Sequence, residues 1–166
     1  SGERGLAGEC GQRRGMRTSA LTFIAVVVTI VGLRAPALAD VSAAAGVYAT
    51  DTPSQVGAAA ILSTAESIPA LPIQIQASLL IPATKQGGYA LTAEIRGLSG
   101  GGFGGAYVGA GLGVGTLSTG RTPGPVLTVF AGKPIAPFTT IEVRIYRGTQ
   151  QNGTTAGFLG LRFSVL

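Results

Sequence analysis

Side chains that could do chemistry are few in this chain, and they do not form a complete catalytic set. Gly97 to Gly101 read GLSGG, which matches the G-x-S-x-G pattern that presents a nucleophilic serine at a strand-to-helix turn. That chemistry needs a histidine to accept the serine proton, and the sequence contains no histidine. The pattern therefore does not predict a hydrolase, and we expect the protein to have no catalytic activity.

Glu94 and Glu142 are a second candidate, because a pair of carboxylates can cleave a glycosidic bond. Each glutamate has an arginine two positions further along the chain, Arg96 and Arg144, so ion pairing is the simpler interpretation. The only cysteine is Cys10, and histidine is absent. The sequence therefore predicts no transition-metal site, and we expect no cofactor.

The first 39 residues predict export. Met16 and Arg17 precede an apolar core, LTFIAVVVTIVGL, which is too short to span a bilayer as a helix. The stretch APALA follows and provides a small-x-small cleavage site before Asp40. We therefore predict an upstream segment, non-native or disordered, at 1–15, a cleavable signal helix at 16–39, and a β-barrel domain at 40–166.

The charge of the predicted domain gives no support to a nucleic-acid partner. The whole chain has 12 lysine and arginine residues against 7 aspartate and glutamate residues, a formal net charge of +5. From Asp40 onward seven basic and five acidic residues remain, a net charge of +2. Because much of the basic character lies upstream of the domain, we predict no nucleic-acid binding.

Apolar and polar residues alternate along the chain from Asp40 onward, with no convincing 3.6-residue period. In PIQIQASLLIP, for example, Ile73 and Ile75 share one phase while Gln74 and Gln76 share the other. Short connections favour antiparallel neighbours. We predict an all-β fold, a single antiparallel up-and-down β-barrel of about eight strands, near residues 41–50, 55–64, 72–81, 88–97, 105–117, 125–132, 139–147 and 157–166.

The fifth run alternates apolar residues such as Val108 and Leu112 with glycine. The lumen of an eight-stranded barrel is barely wide enough for side chains, so a glycine stripe would leave room for long groups from other strands. Small residues also let a strand coil tightly. We place this stripe in the lumen: Gly109, Gly111, Gly113 and Gly115. The charged residues in the polar phases of other strands are predicted to form an ionic network across it: Glu94, Arg96, Glu142, Arg144 and Arg162.

The content of the polar phase favours a lumen over a solvated surface. A soluble surface carries about 25–35% charged residues, whereas the predicted domain has twelve charged residues among 127. Its polar phase consists mostly of glycine, serine, threonine, glutamine and alanine. The apolar phase is therefore predicted to face lipid, as in a transmembrane barrel.

The signal peptide, the eight alternating runs, the GAYVGAGLGVG strand and the closing GLRFSVL together resemble small outer-membrane β-barrel proteins of Gram-negative bacteria. The resemblance implies an outer-membrane location, contact with the lipids of that bilayer, and a structural or surface-interaction role. It also allows a very narrow pore through the barrel. Lipid-modifying members of this group generally use a catalytic histidine, so their activity does not carry over to this chain.

Two other classes remain open from the sequence. A soluble exported β-barrel, in the periplasm or outside the cell, would turn its apolar phase inward and bind a small apolar ligand. A glycine-rich extracellular structural or adhesive protein is the other alternative. The soluble barrel differs from the membrane barrel in the face of the strands that is exposed to water.

Overall fold

The computed structural model describes residues 40–84, 87–99, 105–118, 122–149 and 153–165. These residues form eight β-strands, and no helix occurs among them. The strands are β1 (Asp40–Asp51), β2 (Ser54–Ser67), β3 (Ile73–Pro82), β4 (Tyr89–Leu98), β5 (Tyr107–Thr116), β6 (Gly124–Ala136), β7 (Thr139–Gly148) and β8 (Thr155–Val165).

The strands follow one another around a closed barrel in sequence order, each antiparallel to its neighbours. Closure comes from β1 and β8, which pair from Val41 opposite Val165 to Thr50 opposite Ala156. The ladder is regular except in β6, where the register with β7 shifts between Pro134 and Ala136. The predicted all-β, eight-stranded, up-and-down barrel is confirmed. The predictions for 1–39 concern residues outside the described part of the chain.

The barrel has two distinct ends, because consecutive antiparallel strands reverse direction. The terminal end, as we call it, carries Asp40, Val165 and the connections β2–β3, β4–β5 and β6–β7. The opposite end carries the other four connections, of which β1–β2 consists of Thr52 and Pro53 alone. The β6–β7 connection is equally short, Pro137 and Phe138, and Phe138 has a positive φ of 61°.

Alternation along each strand separates a lumen face from an outer face, since successive side chains point to opposite sides of a sheet. Large apolar side chains occupy the outer face, including Val108 at 67% exposure and Leu112 at 59%. Glu142 and Arg144 are 0% exposed on the lumen side. The hydrophobic pattern is therefore inverted relative to a water-soluble barrel.

The lumen itself is divided into an apolar and a polar half. A cluster of buried apolar side chains fills the half toward the opposite end, and it includes Tyr48, Ile61, Leu80, Tyr146 and Phe158. Within it the Tyr48 hydroxyl donates a hydrogen bond of 2.8 Å to the carbonyl oxygen of Leu117. Most of the charged groups lie in the other half, toward the terminal end.

Candidate functional site: the lumen of the barrel

Glu94 and Arg144 face each other across the lumen, on strands that are not neighbours. Arg144 Nη1 lies 2.6 Å from Glu94 Oε1, and both side chains are fully buried. Ser78 Oγ donates to the other carboxylate oxygen at 2.9 Å, Thr92 Oγ1 donates to Oε1 at 2.6 Å, and Gln76 Nε2 donates to Oε2. The Glu94 carboxylate thus accepts hydrogen bonds from four donors. A buried carboxylate needs such partners to compensate for its loss of contact with water.

Glu142 joins Arg144 to a second arginine. Arg144 Nε lies 2.5 Å from Glu142 Oε1. Arg162 Nε lies 2.8 Å from Glu142 Oε2, and Arg162 Nη2 donates to Oε1 at 3.0 Å. The Tyr107 hydroxyl also donates to Glu142, and Arg162 Nη1 donates to Ser42 Oγ at 2.8 Å. An unbroken chain of alternating charge therefore runs from β4 through β7 to β8, and the hydrogen bond from Arg162 to the neutral Ser42 continues it to β1.

Arg96 faces the same lumen but has different partners. Its Nη2 donates to the side-chain oxygen of Gln74, the residue opposite it on β3. Its guanidinium carbon lies 4.6 Å from the centre of the Tyr107 ring, which is a cation–π arrangement. Of the five charged residues singled out in the sequence, the structure thus brings four into direct contact and places Arg96 beside them.

The four glycines of β5 lie on its lumen side, against strand β4. A methyl group at Gly111 would lie 2.5 Å from Glu94 Cγ, and one at Gly109 would overlap the Phe130 ring. At all four positions a methyl group would also come within 2.7 Å of a backbone oxygen of β4. The glycines therefore allow β4 and β5 to approach closely, and Gly109 and Gly111 also leave space for the side chains of Phe130 and Glu94.

Several contributors to the network were not identified from the sequence. Gln76, Ser78, Thr92 and Ser42 supply neutral donors or acceptors, and Tyr107 supplies its hydroxyl. Their polar phase was visible in the alternation, but nothing in the sequence shows which strands face one another across a lumen. The ring of Phe130 lies 4.3 Å from the guanidinium carbon of Arg144, and no sequence signal indicates this contact.

In this network the charged side chains pair with one another. Every carboxylate in it is held by guanidinium and hydroxyl or amide donors, and Glu94, Glu142 and Arg144 are closed to solvent. Among the described residues, no group of three or more histidine, cysteine, aspartate or glutamate side chains is placed to hold a metal ion. The serine of the GLSGG pattern, Ser99, directly follows the end of β4, and the pattern continues into residues outside the described part.

The described residues contain no helix that is both long enough and apolar enough to cross a membrane.

Comparison with solved structures identifies the class of fold. Neisserial surface protein A superposes with a TM-score of 0.59 at 15% sequence identity, over 76% of this chain and 96% of that one. The N-terminal β-barrel domain of Pseudomonas aeruginosa OprF gives a TM-score of 0.52 at 16% identity, over 75% of this chain and 97% of the other. No protein-family model and no curated protein matches the chain.

Both of these neighbours are small eight-stranded outer-membrane β-barrels. The resemblance drawn from the sequence is therefore confirmed at the level of the fold. At this level of sequence identity the similarity concerns the backbone architecture alone.

Proposed function

We propose that the chain spans the outer membrane of a Gram-negative cell as a closed β-barrel with a structural or surface-interaction role. The observation that carries this proposal is the inverted placement of charge and apolar surface. Glu142 and Arg144 are buried inside, whereas Ile95, Val108 and Leu112 project outward with more than half of their surface exposed. A lipid environment makes that distribution favourable, and water does not.

The barrel works through its outer surface and connections, and does not conduct. The largest side chains of the lumen have at most 2% of their surface exposed, and they include Arg144, Tyr48, Tyr146 and Phe158. The apolar half and the ionic half of the lumen lie in series along the barrel axis. An ion crossing the barrel would have to displace the apolar side chains of one half and break the ion pairs of the other. We therefore expect no channel activity.

A catalytic role is not part of the proposal. The lumen carboxylates are held by donors of the protein itself, which leaves neither of them available as a general acid or base. Histidine is absent from the whole sequence. The filled lumen also argues against the soluble alternative, because a carrier of a small apolar ligand needs an interior cavity.

Fractionation of the native host and gel mobility test the proposal together. A membrane barrel is expected in the outer-membrane fraction, and its mobility should differ between unboiled and boiled samples because the barrel stays folded in detergent until it is heated. Recovery of the protein from the soluble periplasm, without a heat-dependent shift, would exclude the membrane role. Planar-bilayer recordings of the purified barrel are expected to show no discrete conductance steps.

A further inference from the structure

One charged side chain lies on the outer face among apolar residues. Lys133 of β6 projects outward and is exposed. Its partner across the ladder is Ile141 of β7, and the outward-facing neighbours on its own strand are Ala131 and Ile135. Ile141 is 41% exposed and Ile135 is 58% exposed, so Lys133 emerges from an apolar surface.

Lys133 lies a short distance inside the terminal end of the barrel. β6 continues for three residues beyond it to Ala136, which at the usual strand rise and tilt is about 8 Å along the barrel axis. Phe138 in the β6–β7 connection and Phe163 on the outer face of β8 are both exposed at this end. Aromatic side chains at such a level are typical of the boundary between hydrocarbon and head groups.

Lys133 forms no ion pair with a carboxylate of the residues that the structure describes. The ion pairs of the lumen join Glu94, Glu142, Arg144 and Arg162 to one another. A lysine at the edge of an apolar belt extends its four-carbon stem along the surface and places its ammonium group at the polar boundary. The anionic group that a bilayer offers at that boundary is the phosphate of a lipid head group.

We infer that Lys133 binds the phosphate of a lipid head group at the terminal end of the barrel, flanked by Ile135 and Ile141. This inference rests on the proposed membrane-spanning role and deepens it, because it names a specific point of contact and the chemistry of the ligand. Phosphate is a strong acceptor for a lysine ammonium group. The apolar neighbours hold the acyl chain below it.

The experiment compares two kinds of vesicle that differ in whether their head groups contain phosphate. The full chain is folded into phosphatidylcholine vesicles and into digalactosyldiacylglycerol vesicles, and the folding equilibrium constant is measured by urea titration. In phosphatidylcholine, Lys133→Gln is expected to lower that constant about three- to fivefold, the upper range for one exposed ion pair. In the phosphate-free vesicles the same substitution should change it less than twofold.

Two further variants separate a site from a general effect of charge. Lys133→Arg keeps the cation and is expected to retain the phosphatidylcholine stability. Lys85→Gln removes the other lysine that follows Asp40 and falls between β3 and β4 in the sequence, and it should have no lipid-dependent effect.

The outcomes are distinguishable from a failure of the proposed function. Equal effects of Lys133→Gln in both lipids, or an equal effect of Lys85→Gln, would overturn the head-group site while leaving the membrane role intact. A chain that folds into neither kind of vesicle, but folds in buffer, would overturn both.

Discussion

Arg144 is the residue whose removal tests the lumen network most directly. Its guanidinium group lies between two buried carboxylates, 2.6 Å from Glu94 and 2.5 Å from Glu142, and packs on the Phe130 ring at 4.3 Å. Arg144→Ala deletes all of these contacts and leaves two buried carboxylates with no arginine between them. Breaking a buried ion pair by removing one partner costs about 3–5 kcal/mol of unfolding free energy.

Two features of the structure act in opposite directions on the size of this loss. Glu94 keeps its hydrogen bonds from Gln76, Ser78 and Thr92, and Glu142 keeps Arg162, so neither carboxylate becomes wholly unpaired. These remaining donors limit the loss of unfolding free energy for each carboxylate. The total loss is raised because the substitution breaks two ion pairs rather than one. We therefore expect Arg144→Ala to cost about 3–5 kcal/mol and Glu142→Ala, which leaves Arg162 without a carboxylate and Arg144 with Glu94 alone, to cost a similar amount.

The assay is urea unfolding of the folded barrel in detergent. The folded fraction at each urea concentration is read from the difference in gel mobility between the folded and the unfolded barrel. Arg147→Ala is the matched control, because Arg147 lies three residues along the same strand, faces outward and is exposed, and it donates to Thr155 at 3.1 Å. It should cost no more than about 1 kcal/mol. Adding Glu94→Gln to Arg144→Ala should recover part of the loss, since it removes one of the orphaned charges.

Losses below about 1 kcal/mol for both Arg144→Ala and Glu142→Ala, with the fold unchanged, would refute this reasoning. Such a result would place both side chains in water. It would also leave close contact with the backbone of β4 as the one remaining explanation of Gly109 and Gly111, because there would be no crowded polar lumen for them to accommodate.

Three further substitutions test other parts of the barrel. Gly111→Ala would place a methyl group 2.5 Å from Glu94 Cγ and should cost about 1–3 kcal/mol in the same titration, whereas Gly157→Ala meets nothing within 4 Å and should be tolerated. Leu112→Arg, in the middle of β5, should cost about 2–4 kcal/mol in vesicles, and a loss below about 0.5 kcal/mol would mean that this face is in water. Tyr48→Phe leaves a buried carbonyl oxygen without its 2.8 Å hydrogen bond and should cost about 0.5–1.5 kcal/mol of unfolding free energy; no change would indicate that water reaches that end of the lumen.

The phase of each strand was predictable because side chains alternate strictly along a strand. Ile141 and Val143 against Glu142 and Arg144 could be assigned to opposite faces from the sequence alone, and the structure has them on opposite faces. A further argument was needed to decide which face of the strands is exposed to water. It was the scarcity of charged residues among the polar positions, which a solvated surface would not show. Both inferences are local, so they need no knowledge of strand order or register.

The composition of the lumen was less predictable. Leu80 and Phe158 stand next to outward-facing Leu79 and Leu159, and where both phases are apolar, alternation does not identify the inward residue. The apolar half of the lumen was therefore missed. Contacts between opposite walls, such as that of Glu94 with Arg144, depend on the curvature and closure of the sheet, which no local pattern encodes.

The span of the ionic network along the chain has a consequence for how the barrel assembles. Arg144 is 50 residues from Glu94, so these two groups meet only when β4 and β7 are both in place. Arg162 is 120 residues from Ser42, so these two groups meet only when the first and last strands have come together. A strand β7 that entered the bilayer alone would carry Glu142 and Arg144 into hydrocarbon without Arg162 and Glu94, their partners on other strands, at a cost of several kcal/mol. Insertion one strand at a time is therefore unfavourable. The chain is expected to join its strands into a nearly closed sheet before, or while, it crosses the membrane.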